Sequence, residues 1–323
     1  MTGKDLRIIF LGTPGFAVAS LKRMVEEGYN IVGVVTAPDK PAGRGKKLTP
    51  PPVKKFALEK GLNVLQPEKL KNPGFIEELK ALDADLQVVV AFRMLPEVVW
   101  NMPRLGTFNL HASLLPDYRG AAPLNWAIIN GETRTGVTTF LLDQKIDTGK
   151  ILFREGIKIG KNDTVGDIHD KLMDIGAGLV TKTVDALAKG QVKPLPQSEI
   201  MPDKMVKLAP RIFKEDCKIN WTKEVETVRN LIRGLSPYPA AWANLVNKES
   251  GRTIPCKIFF AQPVISTETA SPGTIDSDDE SWLNVACGNG WLEITDLQLS
   301  GKKRMRAADF LRGFRNILDF RFE

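Results

Sequence analysis

Histidine is nearly absent from this chain: His111 and His169 are the only two in 323 residues. Cysteine is scarce as well, and the spacing of Cys217, Cys256 and Cys287 matches neither a disulfide framework nor a metal-ligand pattern. A thiol set of this kind suits a reducing compartment, so the cytoplasm is the expected location. No metal is expected, because two histidines and dispersed cysteines offer no recognisable ligand cluster. No apolar run approaches the roughly 18 residues of a membrane span, so no membrane partner is expected. Residues 1–11 lack the apolar core of a signal peptide, since Lys4, Asp5 and Arg7 interrupt it. Acidic residues are in deficit: 45 Lys and Arg against 38 Asp and Glu leave a formal charge of +7. That balance permits a polyanionic partner without demanding one.

What is present reads as α/β. Residues 6–11 form an apolar run ending at Gly12, the pattern of a buried parallel strand. A helix to about Glu27 and a strand over 31–35 complete a βαβ start, for which a right-handed crossover is expected. The turn Gly12-Thr13-Pro14-Gly15 does not read G-x-G-x-x-G, and no acidic residue closes the second strand at the ribose position. A nicotinamide site is therefore disfavoured, and the expectation is a Rossmann-like scaffold without a dinucleotide. The stretch 39–52 that follows is rich in Gly and Pro. Over residues 39–55, Lys40, Arg44, Lys46, Lys47, Lys54 and Lys55 face a single acid, Asp39. It is either a solvated charge run or a loop that moulds onto phosphates.

A β-branched run over 86–91 predicts a central parallel strand, and Phe92-Arg93-Met94-Leu95-Pro96 leaves it as a candidate pocket wall. The next strand, over 106–111, carries Asn109 and His111. Residues two apart on a strand share a face, and open α/β sheets place ligands at strand ends. A carboxylate able to partner His111 lies downstream in Asp143-Gln144-Lys145-Ile146-Asp147-Thr148-Gly149. Alternatively, Asn109 and His111 merely satisfy backbone groups in a turn. His169 falls on a helix expected over 164–189 and reads as structural or solvated. Residues 190–207, with Pro194, Pro196 and Pro202, read as a linker. The chain then divides into 1–189, the linker 190–207, and a unit over 208–323. In that last unit a helix over 225–235 and short strands over 241–246, 257–261, 283–286 and 291–297 suggest a small β-barrel.

The run from Asn109 to Gly120, with Ala121-Ala122-Pro123 after it and Asp147-Thr148-Gly149 downstream, resembles the folate-dependent formyltransferase family. The likeness extends to Gly12-Thr13-Pro14 with Phe16-Ala17-Val18, to Leu235-Ser236-Pro237-Tyr238-Pro239-Ala240, and to Gly301-Lys302-Lys303 leading to Asp309-Phe310-Leu311-Arg312-Gly313. It covers nearly the whole chain. The resemblance implies a Rossmann-like formyltransferase domain with a mostly parallel sheet, and a small OB-like C-terminal β-barrel that binds tRNA. It implies an enzyme of translation initiation, acting as a monomer. Its formyl donor is 10-formyltetrahydrofolate, a co-substrate rather than a bound cofactor, and its acceptor is the α-amine of initiator methionyl-tRNA. Carried onto this sequence, the catalytic trio is Asn109, His111 and Asp147. The folate-contacting segment is Ser113, Leu114, Leu115 and Pro116. Arg44, Lys46 and Lys47 fall in the tRNA-inserting loop, and Lys302, Lys303 and Arg304 form a second basic cluster for tRNA. Arg93 departs from the family, which often has glycine there; that bears on the folate pocket wall. A formyltransferase acting on a sugar-nucleotide amine is the nearest rival, and the basic 40–47 insertion argues against it.

Overall fold

The structure is a computed structural model that describes residues 1–42, 47–200, 205–266 and 268–323. Arg44 and Lys46, both expected to contact tRNA, lie outside the described residues. The chain forms two compact units. The first comprises residues 1–120, 135–157 and 169–208; the second comprises 121–134, 158–168 and 209–323.

Among the described residues the first unit carries, in chain order, β1 (Ile8–Gly12), β2 (Ile31–Val35), β3 (Lys40–Ala42), β4 (Lys47–Thr49), β5 (Val64–Leu65), β6 (Leu86–Val90), β7 (Thr107–His111), β8 (Arg134–Leu141) and β9 (Ile151–Lys158), besides a two-residue strand at Arg119–Gly120. Seven of them make one sheet in the order β9-β8-β7-β6-β1-β2-β5, while β3 and β4 pair as a separate hairpin. The β1–β2, β1–β6, β2–β5 and β6–β7 pairings are parallel, and β7–β8 is antiparallel. Every residue of β1 is buried, because a parallel strand covered on both faces has no polar side. This is the mostly parallel, Rossmann-like sheet expected from the sequence.

Helices α1 (Gly15–Glu26), α2 (Pro52–Glu59), α3 (Pro73–Ala81), α4 (Glu97–Trp100), α5 (Pro123–Ile129) and α6 (Val165–Ala188) follow in order. Alternation along the strands divides the core. Ile9, Leu11, Val35 and Val89 pack with Phe75, Leu79 and Val99 of α3 and α4. Leu110 instead meets Gly176 of α6, where an added Cβ stands 2.8 Å from Leu110 Cδ2. Thr164 and Asp167 cap α6 reciprocally: the Thr164 N–H and hydroxyl donate to Asp167 Oδ2, and the Asp167 N–H donates back to Thr164 Oγ1.

The stretch read as a linker behaves differently. Up to residue 208 it belongs to the first unit. Leu195 forms an antiparallel bridge with Ile151, with N–H to O distances of 2.8 and 2.9 Å. Gln197 beside it is 4% exposed. Proline richness reports the lack of a regular hydrogen-bond ladder, not the lack of packing.

The second unit contains α7 (Val225–Leu235), β10 (Ala241–Asn247), β11 (Thr253–Val264), β12 (Ile275–Ser277), β13 (Leu283–Cys287), β14 (Gly290–Leu299), β15 (Met305–Arg306), α8 (Ala307–Gly313) and β16 (Phe320–Phe322). The sheet runs β12-β13-β14-β11-β10-β16, with β15 paired to β14. A Thr274–Arg321 bridge nearly closes it into the expected barrel. Val228, Ile232 and Leu235 of α7 join its core, as do all three cysteines. Burial pushes the Cys256 and Cys287 thiols up to about 12, so both stay protonated and unreactive. Arg229 donates to Asn162 Oδ1 at 2.8 Å and Arg233 to the Asp163 carbonyl at 3.1 Å, which ties residues 158–168 to this unit.

Gly273 carries the closure. Its N–H donates to the Ala286 carbonyl and its carbonyl accepts from the Phe322 N–H, both at 2.9 Å. Its φ is +87°, and an added Cβ stands 2.1 Å from the Phe322 oxygen. Gly273→Ala is expected to lose about 2 kcal/mol or more of stability, measured as a lowered urea midpoint with an unchanged slope.

Candidate active site

Strand β7 sets the first two side chains. Asn109 stands beside Val89 on one side and Phe140 on the other, and His111 ends the strand opposite Thr138. Asn109 is half-buried, and its amide makes no hydrogen bond among the described residues. His111 is buried, with the Phe140 ring edge-on at 6.4 Å. Its Nε2 lies 2.8 Å from the Tyr118 carbonyl oxygen. A carbonyl can only accept, so Nε2 carries a proton, and in the neutral ring the lone pair sits on Nδ1. That Nδ1 faces Asp147 Oδ2 at 3.8 Å. The separation exceeds a hydrogen bond but suits an ion pair once the ring is charged.

The turn after β7 is held from inside. Thr138 Oγ1 donates to the Ser113 carbonyl (2.6 Å) and accepts from the Leu115 N–H (3.1 Å). Ser113 Oγ donates to the Asp117 carbonyl (2.7 Å), and Arg154 donates to the Leu115 carbonyl (3.0 Å). Of the four residues expected to contact folate, Ser113, Leu115 and Pro116 are buried, and Leu114 alone is half-buried. Three of these side chains therefore brace the turn from within. Leu114 is the one with surface to offer.

Asp147 arrives by a fold-back. Antiparallel pairing puts Leu141 opposite Phe108, so the chain leaves β8 beyond the site and must return. Gly149 permits this: a Cβ there stands 1.6 Å from the Leu141 oxygen. Asp147 adopts φ +54°, and its Oδ2 accepts the Gly120 N–H at 2.9 Å. Gln197 Nε2 donates to the carbonyls of both Asp147 and Gly149 at 2.9 Å. Gln197 was missed from the sequence, where one glutamine between prolines in an apparent linker carries no pattern; only the tertiary fold brings it to this loop.

Arg93 does not obstruct the neighbouring loop but struts it. Its guanidinium donates to the Glu68 carbonyl at 2.8 Å and to that of Pro67, and lies 5.6 Å from the Phe92 ring centre. Burial lowers its pKa. Arg93, Met94 and Leu95, with Lys69, Leu70 and Ile76, line a groove of about 850 Å³, within the usual size of a small-molecule site. The groove runs along the loop that follows β6, the strand next to β7.

The basic positions are dispersed. Lys47 is exposed on the β3–β4 hairpin, opposite Ala42. At the hairpin's base, Asp39 accepts from Gln66 at 2.8 Å and from Lys54 at 2.8 and 2.9 Å. In the second unit Lys302 and Lys303 are exposed. Arg304 instead pairs with Asp296 at 3.1 Å and lies 4.5 Å over Phe259, which reduces its reach toward a phosphate. His169 bonds its neighbour Asp170 at 3.0 Å and packs on Phe16.

The mostly parallel sheet thus brings an amide, an imidazole and a carboxylate together at one strand end. The chain belongs to the formyl transferase family: its sequence matches the profile "Formyl transferase" over residues 6–184 and "Formyl transferase, C-terminal domain" over 211–315. Among similar proteins, the methionyl-tRNA formyltransferase of Bacteroides fragilis is 55% identical over 314 residues, 97% of each chain. That of Parabacteroides distasonis is 55% identical over 322 residues, 99% of each. Two solved structures share the fold alone. HypX from Aquifex aeolicus in complex with tetrahydrofolic acid aligns at TM-score 0.63 and 18% identity over 95% of this chain, which spans 47% of HypX. The sugar 3N-formyl transferase WlaRD aligns at TM-score 0.63 and 21% identity, over 92% of this chain and 99% of its own. Among the described residues, no helix is long and apolar enough to cross a membrane.

Asp39 yields a pH prediction. Hydrogen bonds from Gln66 first, then Lys54, hold its carboxyl below the ordinary 3.8. A depressed carboxyl contributes stability that is present above the unfolded value and lost as pH falls through the folded one. The stability gap between wild type and Asp39→Asn is therefore expected to be constant above about pH 5 and to shrink below about pH 4, measured by urea midpoints across that range.

Proposed function

We propose that this protein transfers the formyl group of 10-formyltetrahydrofolate to the α-amino group of initiator methionyl-tRNA. The observation that carries the reading is the end of β7: an Asn109 amide with no hydrogen-bond partner among the described residues, beside a His111 whose open nitrogen is Nδ1. Full-length relatives 55% identical, named for this acceptor, agree with it.

Asn109 is placed to donate an N–H to the formyl oxygen as negative charge develops on it. One such fixed donor is typically worth about 3 kcal/mol. The attacking α-amine has an ordinary pKa of about 8, so a useful neutral fraction exists near pH 7 and no strong base is needed to free it. Once the nitrogen lone pair bonds the formyl carbon, that nitrogen sheds a proton, and His111 Nδ1 accepts it. The imidazolium formed is stabilised by Asp147 at 3.8 Å. When the oxyanion re-forms its double bond, the C–N10 bond breaks, and His111 returns the proton to N10. The tautomer fixed by Tyr118 thus favours His111 as proton carrier and leaves the oxyanion to Asn109. General acid–base help of this kind is worth roughly 10²–10⁴-fold.

The 850 Å³ groove along Arg93, Met94 and Leu95 is of a size to take the folate, with the half-buried Leu114 as the accessible member of the 113–116 wall. Residues 1–189 act as the formyltransferase domain and 208–323 as the tRNA-binding domain. The stretch 190–207 serves the first of these rather than acting as a free linker. Lys47 of the hairpin, with Arg44 and Lys46 near it in sequence, offers phosphate contacts, and Lys302, Lys303 and Arg304 offer others; contacts of this kind position rather than select. Buried, free thiols accord with a cytoplasmic protein, and we take it to act as a monomer.

Asn109→Ala is expected to lower kcat about 10²–10³-fold while the KM for folate moves little, read by steady-state formylation of methionyl-tRNA. Arg44→Leu is expected to raise the KM for tRNA, spare folate binding and flatten the salt dependence by about one unit of slope or less. Unchanged tRNA kinetics across a salt series rule out that role for Arg44.

A further inference from the structure

We propose that Gln197 is a positioning residue for the reaction, acting through Asp147; the proposal rests on the reading of Asp147 as the partner of His111. The Asp147 loop is mostly exposed, and apart from the Asp147 carboxylate, which accepts the Gly120 N–H, its own side-chain bonds stay local. Thr148 donates to Asp143 at 2.7 Å and the Lys145 N–H to the same carboxylate at 3.0 Å. Among the described residues, the main chain of 147–149 takes hydrogen bonds from outside the loop only through Gln197. Asp147 needs such a hold. Its φ of +54° is left-handed, a conformation that persists in a non-glycine residue only when its surroundings fix it.

Gln197 is suited to fixing it. Its side chain is buried, and its two amide protons go to two carbonyl oxygens, which only accept. Its Oε1 in turn accepts from Arg119 Nε at 3.1 Å and Nη2 at 2.6 Å. Donors and acceptor are thus unambiguous, and the amide has one orientation. Arg119 is followed by Gly120, whose N–H holds the Asp147 carboxylate at 2.9 Å. Gln197 therefore ties the main chain of Asp147 to the strand segment that grips its side chain, and together they set the 3.8 Å approach to His111 Nδ1. Without Gln197, two carbonyls lose their donors and the carboxylate loses its frame. A shift of about 1 Å in a reacting group costs up to about a hundredfold in rate.

The test is a double-mutant cycle. Gln197→Leu is expected to lower kcat about tenfold to a hundredfold, with KM for folate and methionyl-tRNA nearly unchanged. Asp147→Asn is expected to lower kcat at least as far. The double variant should match Asp147→Asn, because residues acting as one unit are not additive. The His111 imidazole resonance, one of two in the chain, should move in Gln197→Leu toward its position in Asp147→Asn. If Gln197→Leu does not fold, Arg119→Leu, which frees the amide orientation, replaces it in the same cycle. Wild-type kcat in the single variant, or multiplying losses in the double, overturns the role of Gln197. Wild-type kcat in Asp147→Asn instead overturns the reading of Asp147 beneath it.

Discussion

A carbonyl oxygen cannot donate, and the Tyr118 main chain therefore dictates which nitrogen of His111 holds the proton. The remaining features of the site follow from that contact. With Nε2 committed, Nδ1 is the nitrogen able to take a proton and release it, and a carboxylate stands 3.8 Å away to stabilise the charged ring. Tyr118 can offer its carbonyl because the turn before it is pinned by Thr138, Ser113 and Arg154. It also adopts φ +63°, an unusual conformation in a residue of its size. Main-chain geometry thus sets the tautomer of His111, and the buried Ser113, Leu115 and Pro116 line the turn that holds it.

The sheet supplies the rest by register. A parallel β6–β7 pair and an antiparallel β7–β8 pair put Val89, Asn109 and Phe140 in one row and His111 beside Thr138. The same antiparallel pairing carries the following loop away from the site. The fold-back through Gly149, clamped by Gln197, is the structural answer to that problem.

Much of the site was legible because its signal is short-range. Period-two alternation puts Asn109 and His111 on one face with no knowledge of the fold, and the apolar runs that became β1, β2 and β6 declare buried strands. Asp147 needed the family resemblance, since the 35 residues between it and His111 erase any periodicity. Gln197 was not legible. Its partners come from separate parts of the chain, and the prolines around it mimic a linker while Leu195 bridges Ile151. The β3–β4 hairpin hid behind Gly, Pro and charge. Strand β16 and helix α8, short and interrupted by arginines, gave no lasting pattern, although Phe310, Leu311 and Phe322 are core residues. Arg93 read as a departure from the family in a candidate pocket wall; its hydrogen bonds run to the main chain at Pro67 and Glu68 and brace the loop.

The central claim is that this strand end moves a formyl group onto the amine of methionine carried by tRNA. The most direct measurement offers the wild-type protein 10-formyltetrahydrofolate with two acceptors in one reaction, charged initiator methionyl-tRNA and a sugar-nucleotide amine, and follows labelled formyl into each. The account predicts N-formylmethionyl-tRNA as the product, with one tetrahydrofolate released per formyl transferred. Label on the sugar nucleotide alone, or no label on tRNA with a competent donor and charged acceptor, contradicts it.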